Sequence, residues 1–279
     1  DWADHHFPDD GNGNIYRAVR DLQPPEFDYR TLGAYPFLYG PENKDSYTNT
    51  WSKESNVSED DWTDLIAMLR VLGTNGIVPF SSEEVMRVIN VEQWLRHLAL
   101  MNLLGNSETG LNSGYNDDYF MYRGINDPRF LLMYYDLDQI LGFNGSFGTA
   151  SSLFSAENDQ GAGRALSRIL RHPEFEPIYY EQLRDLIETT LTPAEFNSLV
   201  DQVLGDFVPL ATRNQIKNWM ELRRAYVQAQ LPLNPPAPAP VARVTAPPRW
   251  PTPLTSATFQ VSGEGVTHYR YSLNAGPLS

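Results

Sequence analysis

One helix–loop–hairpin segment in the middle of the chain constrains the fold more than any other part of the sequence. Apolar residues at helical spacing predict a helix over 91–104, and Gly105 with its αL preference is a typical stop signal. Two strand-like runs follow, at 118–123 and 129–135, and the residues between them read Gly-Ile-Asn-Asp-Pro, which favours a turn. The sequence therefore predicts a helix that leads through a polar loop into a β-hairpin.

Acidic residues are concentrated in this segment. The polar residues of the loop include Glu108, Asn112, Asn116, Asp117 and Asp118. Asp136 and Asp138 come directly after the second strand, where burial of an unpaired carboxylate would be costly. A divalent cation is one partner for several oxygens at this density, and Mg²⁺ that bridges to phosphates is a common case. Turn capping and ion pairs with nearby arginines are the alternative, and spacing alone leaves both open.

The rest of the chain predicts an α+β fold that is mostly helical. A short strand is expected at 15–19, a helix at 62–72 with Ser58 as its N-cap, and a shorter helix from Ser82. Residues 163–230 carry further helical pattern, in which prolines mark helix starts or breaks.

The composition changes after residue 231. Residues 232–253 contain nine of the 21 prolines, which predicts an extended linker. Beyond it, 257–262 and 267–272 alternate polar and apolar residues, and 254–279 is expected to be the start of a β-sandwich. Residues 1–231 are then the main domain. Because the chain lacks an initial Met and stops within the expected hairpin, we expect a piece of a longer protein.

Charge and composition exclude several classes of function. The net charge of −14 and the pI near 4.7 argue against binding to nucleic acid or to an anionic membrane. No apolar run reaches the roughly 18 residues that a membrane span requires. With no cysteine, the chain has no disulfide, thiolate zinc site or thiol nucleophile. His97 lies within the apolar helix, where a packed polar residue is favoured over a catalytic base.

Several motifs together resemble the spore coat protein H (CotH) kinase family, atypical kinases of spore coats and of bacterial and fungal surfaces. The matching pieces, over about residues 10–230, are Gly-Asn-Ile-Tyr-Arg-Ala at 13–18, the helix at 62–72, the helix that ends in Gly105-Asn106, the strand at 116–122, and Tyr-Asp-Leu-Asp at 135–138 before Gly142. Their order and spacing carry the resemblance, since no single piece is specific alone.

The resemblance implies the C-lobe of an atypical protein kinase, which uses ATP and Mg²⁺ to phosphorylate a protein hydroxyl. By position, Asp136 corresponds to the metal-binding Asp, with Asp138 as its companion or a structural acid. Asn116 corresponds to a second metal ligand or phosphate-side ligand. The catalytic loop acid falls on Glu108, and Asp117 is the alternative if the loop is threaded differently.

Two departures from the family pattern qualify this expectation. The family usually has Asp where this chain has Glu108, and a carboxylate displaced by about 1 Å can cost about 10²-fold in rate. A catalytically weak binding or adhesion module of a large surface protein is therefore the alternative. The family's nucleotide-gripping strands precede the segment at 13–18, so we expect the N-terminal lobe, like further β-sandwich domains, elsewhere in the parent protein. An extracellular or cell-surface location is implied by the family alone.

Overall fold

The structure is a computed structural model that describes residues 2–19, 43–48, 50–73, 80–108, 111, 118–156, 161–233, 243–244, 261–263 and 267–268. The chain divides into two compact units, Asp1–Pro236 and Ala237–Ser279. Predicted residues Asn112, Asn116 and Asp117 lie outside the described part. None of the helices in the described part combines the length and the apolar character that a membrane crossing requires.

The first unit contains a small antiparallel sheet. Its strands are β1 (Asn14–Ala18), β2 (Trp51–Lys53), β3 (Tyr119–Arg123) and β4 (Phe130–Met133), in the order β2-β1-β3-β4. In the β3–β4 hairpin Phe120 pairs with Met133, and on the other side of β3 Phe120 pairs with Arg17 of β1. The sequence predictions of the strand near 15–19 and of the hairpin are confirmed.

Eight α-helices are described. They are α1 (Trp2–His6), α2 (Thr63–Leu72), α3 (Ser82–Val88), α4 (Val91–Leu104), α5 (Gly161–Leu170), α6 (Glu176–Glu188), α7 (Pro193–Leu204) and α8 (Leu210–Gln230). Prolines lie in the first turns of α6 and α7, where the missing N–H is not needed. The fold is α+β and mostly helical, as the sequence predicted.

The expected N-cap of α2 was wrong. Ser58 lies in a short 3₁₀ turn, Val57–Glu59, and α2 begins at Thr63. The carboxylate of Asp61 accepts the backbone N–H of Thr63 at 2.9 Å, so an acid two residues before the helix takes the position expected of the serine.

Helix α4 is the centre of the first unit, because it contacts β4, α6 and α8. Its N-cap is Asn90, whose side chain accepts the Gln93 N–H. Against the sheet, the buried Trp94 indole donates to the Phe130 carbonyl at 2.8 Å. This packing fixes α4 against β4. Helix α4 leads into the acidic loop, and β4 leads to Asp136, so the two segments that carry acids are held together.

In the second unit, β5 (Arg243–Val244) pairs antiparallel with β6 (Val261–Ser262). The first of these strands lies within the segment predicted as linker. Most of the run predicted as the partner strand, 267–272, lies outside the described residues. The β-sandwich and the domain boundaries therefore stay predictions.

Candidate functional site

Three acidic side chains converge at the end of the β3–β4 hairpin. Glu108, Asp118 and Asp136 each place one carboxylate oxygen within 4.8 Å of the others. Glu108 and Asp118 are half-buried, and Asp136 is exposed. Like charges this close repel one another, whereas hard oxygen ligands in this number suit Mg²⁺ or Ca²⁺. The residues present therefore fit a divalent cation.

The hairpin brings two of these acids together. Asp118 directly precedes β3 and Asp136 follows β4, so the antiparallel register places both at the open end of the hairpin. Both have left-handed backbone conformations, with φ of 55° and 45°. Aspartate tolerates this region better than most residues, but such conformations still cost energy and often occur at functional sites.

The third acid arrives from the C-terminus of α4. Gly105 ends the helix with φ 67°, and the Asn106 N–H donates to the Met101 carbonyl at 3.0 Å. The segment is then bonded to the loop after β4. The bonds run from Leu141 N–H to Leu104 O (2.8 Å), Phe147 N–H to Gly105 O (2.8 Å) and Ser107 N–H to Gln139 O (3.3 Å). These bonds hold Glu108 beside the residues that follow β4.

Helix α8 packs behind both segments. A Cβ added to Gly105 would lie 2.6 Å from Trp219 Cζ2, and one added to Gly142 would lie 2.7 Å from Trp219 Cδ1. The indole therefore contacts both the segment that carries Glu108 and the loop that follows Asp136. This packing fixes the separation of the two chain segments that supply the cluster.

Of the predicted site residues, Glu108 and Asp136 lie in the cluster. Asp138 is exposed and is not a member of it, while its backbone carbonyl accepts the Asn144 side-chain amide at 3.0 Å. Asn116 and Asp117 lie outside the described residues, so their predicted roles stay predictions. Asp118 is the member that sequence reasoning counted among the loop acids but did not select. The hairpin register was the available signal, since it places Asp118 across from the end of β4.

His97 is buried in α4 and lies against Tyr134, two residues before Asp136. Its ring stacks on Tyr134 with centroids 4.4 Å apart, and neither ring nitrogen has a hydrogen-bond partner among the described residues. Burial lowers the pKa of His97 from 6.5 to about 3. A neutral imidazole packed in this way agrees with the packed role that its position in the sequence favoured.

A His97→Phe variant is expected to be less sensitive to acid. Between the ordinary pKa near 6.5 and the native pKa of about 3, the unfolded chain binds a proton that the folded chain does not. This difference lowers stability as the pH falls, by up to about 1.4 kcal/mol per pH unit. Phenylalanine retains an aromatic ring against Tyr134 but cannot be protonated. Thermal unfolding at about pH 7 and about pH 4.5 measures the effect.

The control for this prediction is His5→Ala, because His5 is exposed on α1. It should keep the acid sensitivity of the unmodified chain. If the melting temperature of His97→Phe falls between the two pH values by as much as that of the unmodified chain, His97 is not the source of the acid sensitivity.

Comparison with known proteins gives one family. The family model described as CotH kinase protein matches residues 3–232, most of the chain and all of the acidic cluster. A search of curated proteins found no match. The match confirms the resemblance inferred from the motifs, and the family implies a kinase-like fold, ATP and a divalent metal. The chain therefore belongs to the CotH kinase family.

Proposed function

We propose that this chain belongs to an active kinase that transfers phosphate from ATP to a protein hydroxyl, outside the cell or at its surface. The observation that supports the proposal is the convergence of Glu108, Asp118 and Asp136 within the region matched by the family model. In phosphoryl transfer a divalent ion neutralises charge on the phosphates, and the protein mainly positions the groups.

The three acids have different proposed tasks. Asp118 and Asp136, fixed by the hairpin end, hold the cation. Glu108 comes from a separate segment and is half-buried, so it is the group proposed to orient the attacking hydroxyl and accept its proton. Its longer side chain favours the alternative function, a binding or adhesion module with weak catalysis. Both functions use the same cation site.

An Asp136→Asn variant is expected to lose phosphate transfer by about 100-fold or more, because it removes a charged ligand of the cation. The matched control is Asp138→Asn, which removes the same charge two residues away, outside the cluster. It should stay within about 3-fold of the unmodified protein, since surface substitutions of this kind change little. The assay is transfer of label from the γ-phosphate of ATP, with Mg²⁺, by the full-length protein.

The results of this assay distinguish the two candidate functions. Loss of phosphate transfer in Asp136→Asn but not in Asp138→Asn supports the kinase. A rise in melting temperature with Mg²⁺ and ATP that Asp136→Asn abolishes, without any transfer, supports the binding module. Equal phosphate transfer by the unmodified protein, Asp136→Asn and Asp138→Asn would show that the cluster is not the metal site.

A further inference from the structure

Arg17 lies on an aromatic surface of the sheet. It pairs with Phe120 across the β1–β3 ladder, and its guanidinium carbon lies 5.8 Å from the Phe120 ring centroid and 4.9 Å from that of Tyr135. The two rings contact each other with centroids 5.0 Å apart and planes at 67°. Cation–π contact with two rings restricts where the guanidinium can lie.

Among the residues that the structure describes, this cation has no anionic partner. The Nε atom of Arg17 is buried without a hydrogen-bond partner, and the guanidinium makes no hydrogen bond or ion pair with the residues that the structure describes. Other arginines, such as Arg96 and Arg129, pair with carboxylates. A half-buried guanidinium without hydrogen bonds is unfavourable, so its donors remain available to a ligand.

The two rings that contact Arg17 belong to residues within two positions of acids of the cluster. Tyr135 immediately precedes Asp136, and Phe120 is two residues after Asp118, yet no ion pair joins Arg17 to either acid among the described residues. A cation near a carboxylate would ordinarily pair with it. The aromatic contacts instead hold the guanidinium against Tyr135, the residue before Asp136. A cation bound to the carboxylates and an anion bound between that cation and the guanidinium would place opposite charges next to each other throughout.

We propose that Arg17 binds a phosphate oxygen of the polyphosphate chain whose other oxygens face the cation held by Asp118 and Asp136. The planar fork of a guanidinium fits two phosphate oxygens at once, which an ammonium cannot do. The inference rests on the proposed function, because the acidic cluster repels a polyphosphate unless a divalent cation is present. Arg17 thus recognises the phosphates and not the base, and inorganic tripolyphosphate should bind through the same residue.

The test is calorimetric binding to the full-length protein, with Mg²⁺ alone, Mg²⁺ with ATP, and Mg²⁺ with inorganic tripolyphosphate. Arg17→Leu is expected to weaken binding of ATP and of tripolyphosphate by about 10–100-fold, the effect of lost charge-assisted hydrogen bonds. Arg17→Lys should recover only part of this loss. Binding of Mg²⁺ alone should be unchanged in both. The control is Arg87→Leu, an exposed arginine paired with Glu83 and Glu84 on α3.

The outcomes distinguish this inference from the proposed function. Arg17→Leu that binds both polyphosphates as tightly as the unmodified protein overturns the role of Arg17, even if Asp136→Asn still abolishes transfer. Loss of ATP binding with retained tripolyphosphate binding also overturns it, because Arg17 would then contact the nucleoside. Loss of Mg²⁺ binding in Arg17→Leu would show a general structural defect instead of phosphate recognition.

Discussion

An Arg223→Met variant is expected to lose about 3–5 kcal/mol of the free energy of unfolding. Arg223 extends from α8 and is 1% exposed. It donates to the backbone and side-chain oxygens of Asn102 at 3.2 and 2.6 Å, and to the carbonyls of Thr149 and Ser151 at 3.0 and 2.6 Å. Methionine fills similar space but donates to none of these oxygens, and only the Asn102 carbonyl keeps another donor described in the structure, the Gly105 N–H at 3.1 Å. Each unsatisfied buried acceptor costs about 1–3 kcal/mol.

The loss of stability in Arg223→Met should also affect the end of α4, the segment that leads to Glu108 of the acidic cluster. Asn102 lies in the last turn of α4, and its side-chain amide donates to the carbonyls of Ser152 and Leu153 at 2.9 and 3.0 Å. Arg223 and Asn102 thus join α8, the end of α4 and the loop near residue 150. Burial lowers the pKa of Arg223, yet an arginine stays charged near neutral pH, so the network depends on the cation.

Denaturation in urea measures this prediction, with Arg87→Met as the control. Arg87 is half-exposed and pairs with Glu83 and Glu84 on α3, so the same substitution there should cost less than about 1 kcal/mol. Similar losses in the two variants would mean that the Arg223 network contributes no more than a surface ion pair.

Local elements of this fold could be predicted from the sequence because their signals are local. The bounds of α4 follow from apolar spacing and from Gly105, and the hairpin follows from two strand patterns around a turn. Ser58 misled the prediction of α2 because Asp61, three residues later, offers an equally good oxygen to the first helical N–H. Several potential caps within one turn cannot be ranked without the backbone path.

The candidate site is only partly predictable, because its contacts join distant segments. Asp136 stands out as an acid after a buried strand, whereas Asp118 becomes important only through the strand register and its left-handed backbone. Arg223 resembles any cation of an amphipathic helix, although its partner Asn102 is 121 residues away. Arg17 resembles an ordinary strand arginine until the structure shows that no acid among the described residues pairs with it. Sequence patterns indicate which residues carry charge, and only the fold shows which charges meet.

A Gly105→Ala variant should lose about 2–4 kcal/mol of the free energy of unfolding and should bind Mg²⁺ more weakly at the cluster. The φ of 67° costs an L-residue about 1–2 kcal/mol. The added methyl would also lie 2.6 Å from Trp219 and 2.9 Å from the Phe147 carbonyl, so the chain must move. Because Glu108 is three residues further on, this movement separates its carboxylate from those of Asp118 and Asp136.

Two other glycines serve as controls that separate the cost of backbone strain from the cost of the steric clash. Gly145 has φ 90°, and the nearest atom of a described residue to an added Cβ is 3.8 Å away, so Gly145→Ala should cost only the backbone strain of about 1–2 kcal/mol. Gly148 lacks a left-handed φ, and its nearest atom lies at 4.0 Å, so Gly148→Ala should stay within about 0.5 kcal/mol. In the Trp219→Leu background the cost of Gly105→Ala should fall, since the indole is one source of the clash. An undiminished cost in that background would mean that the indole does not set the spacing of the two segments, and that strain at Gly105 alone accounts for the loss.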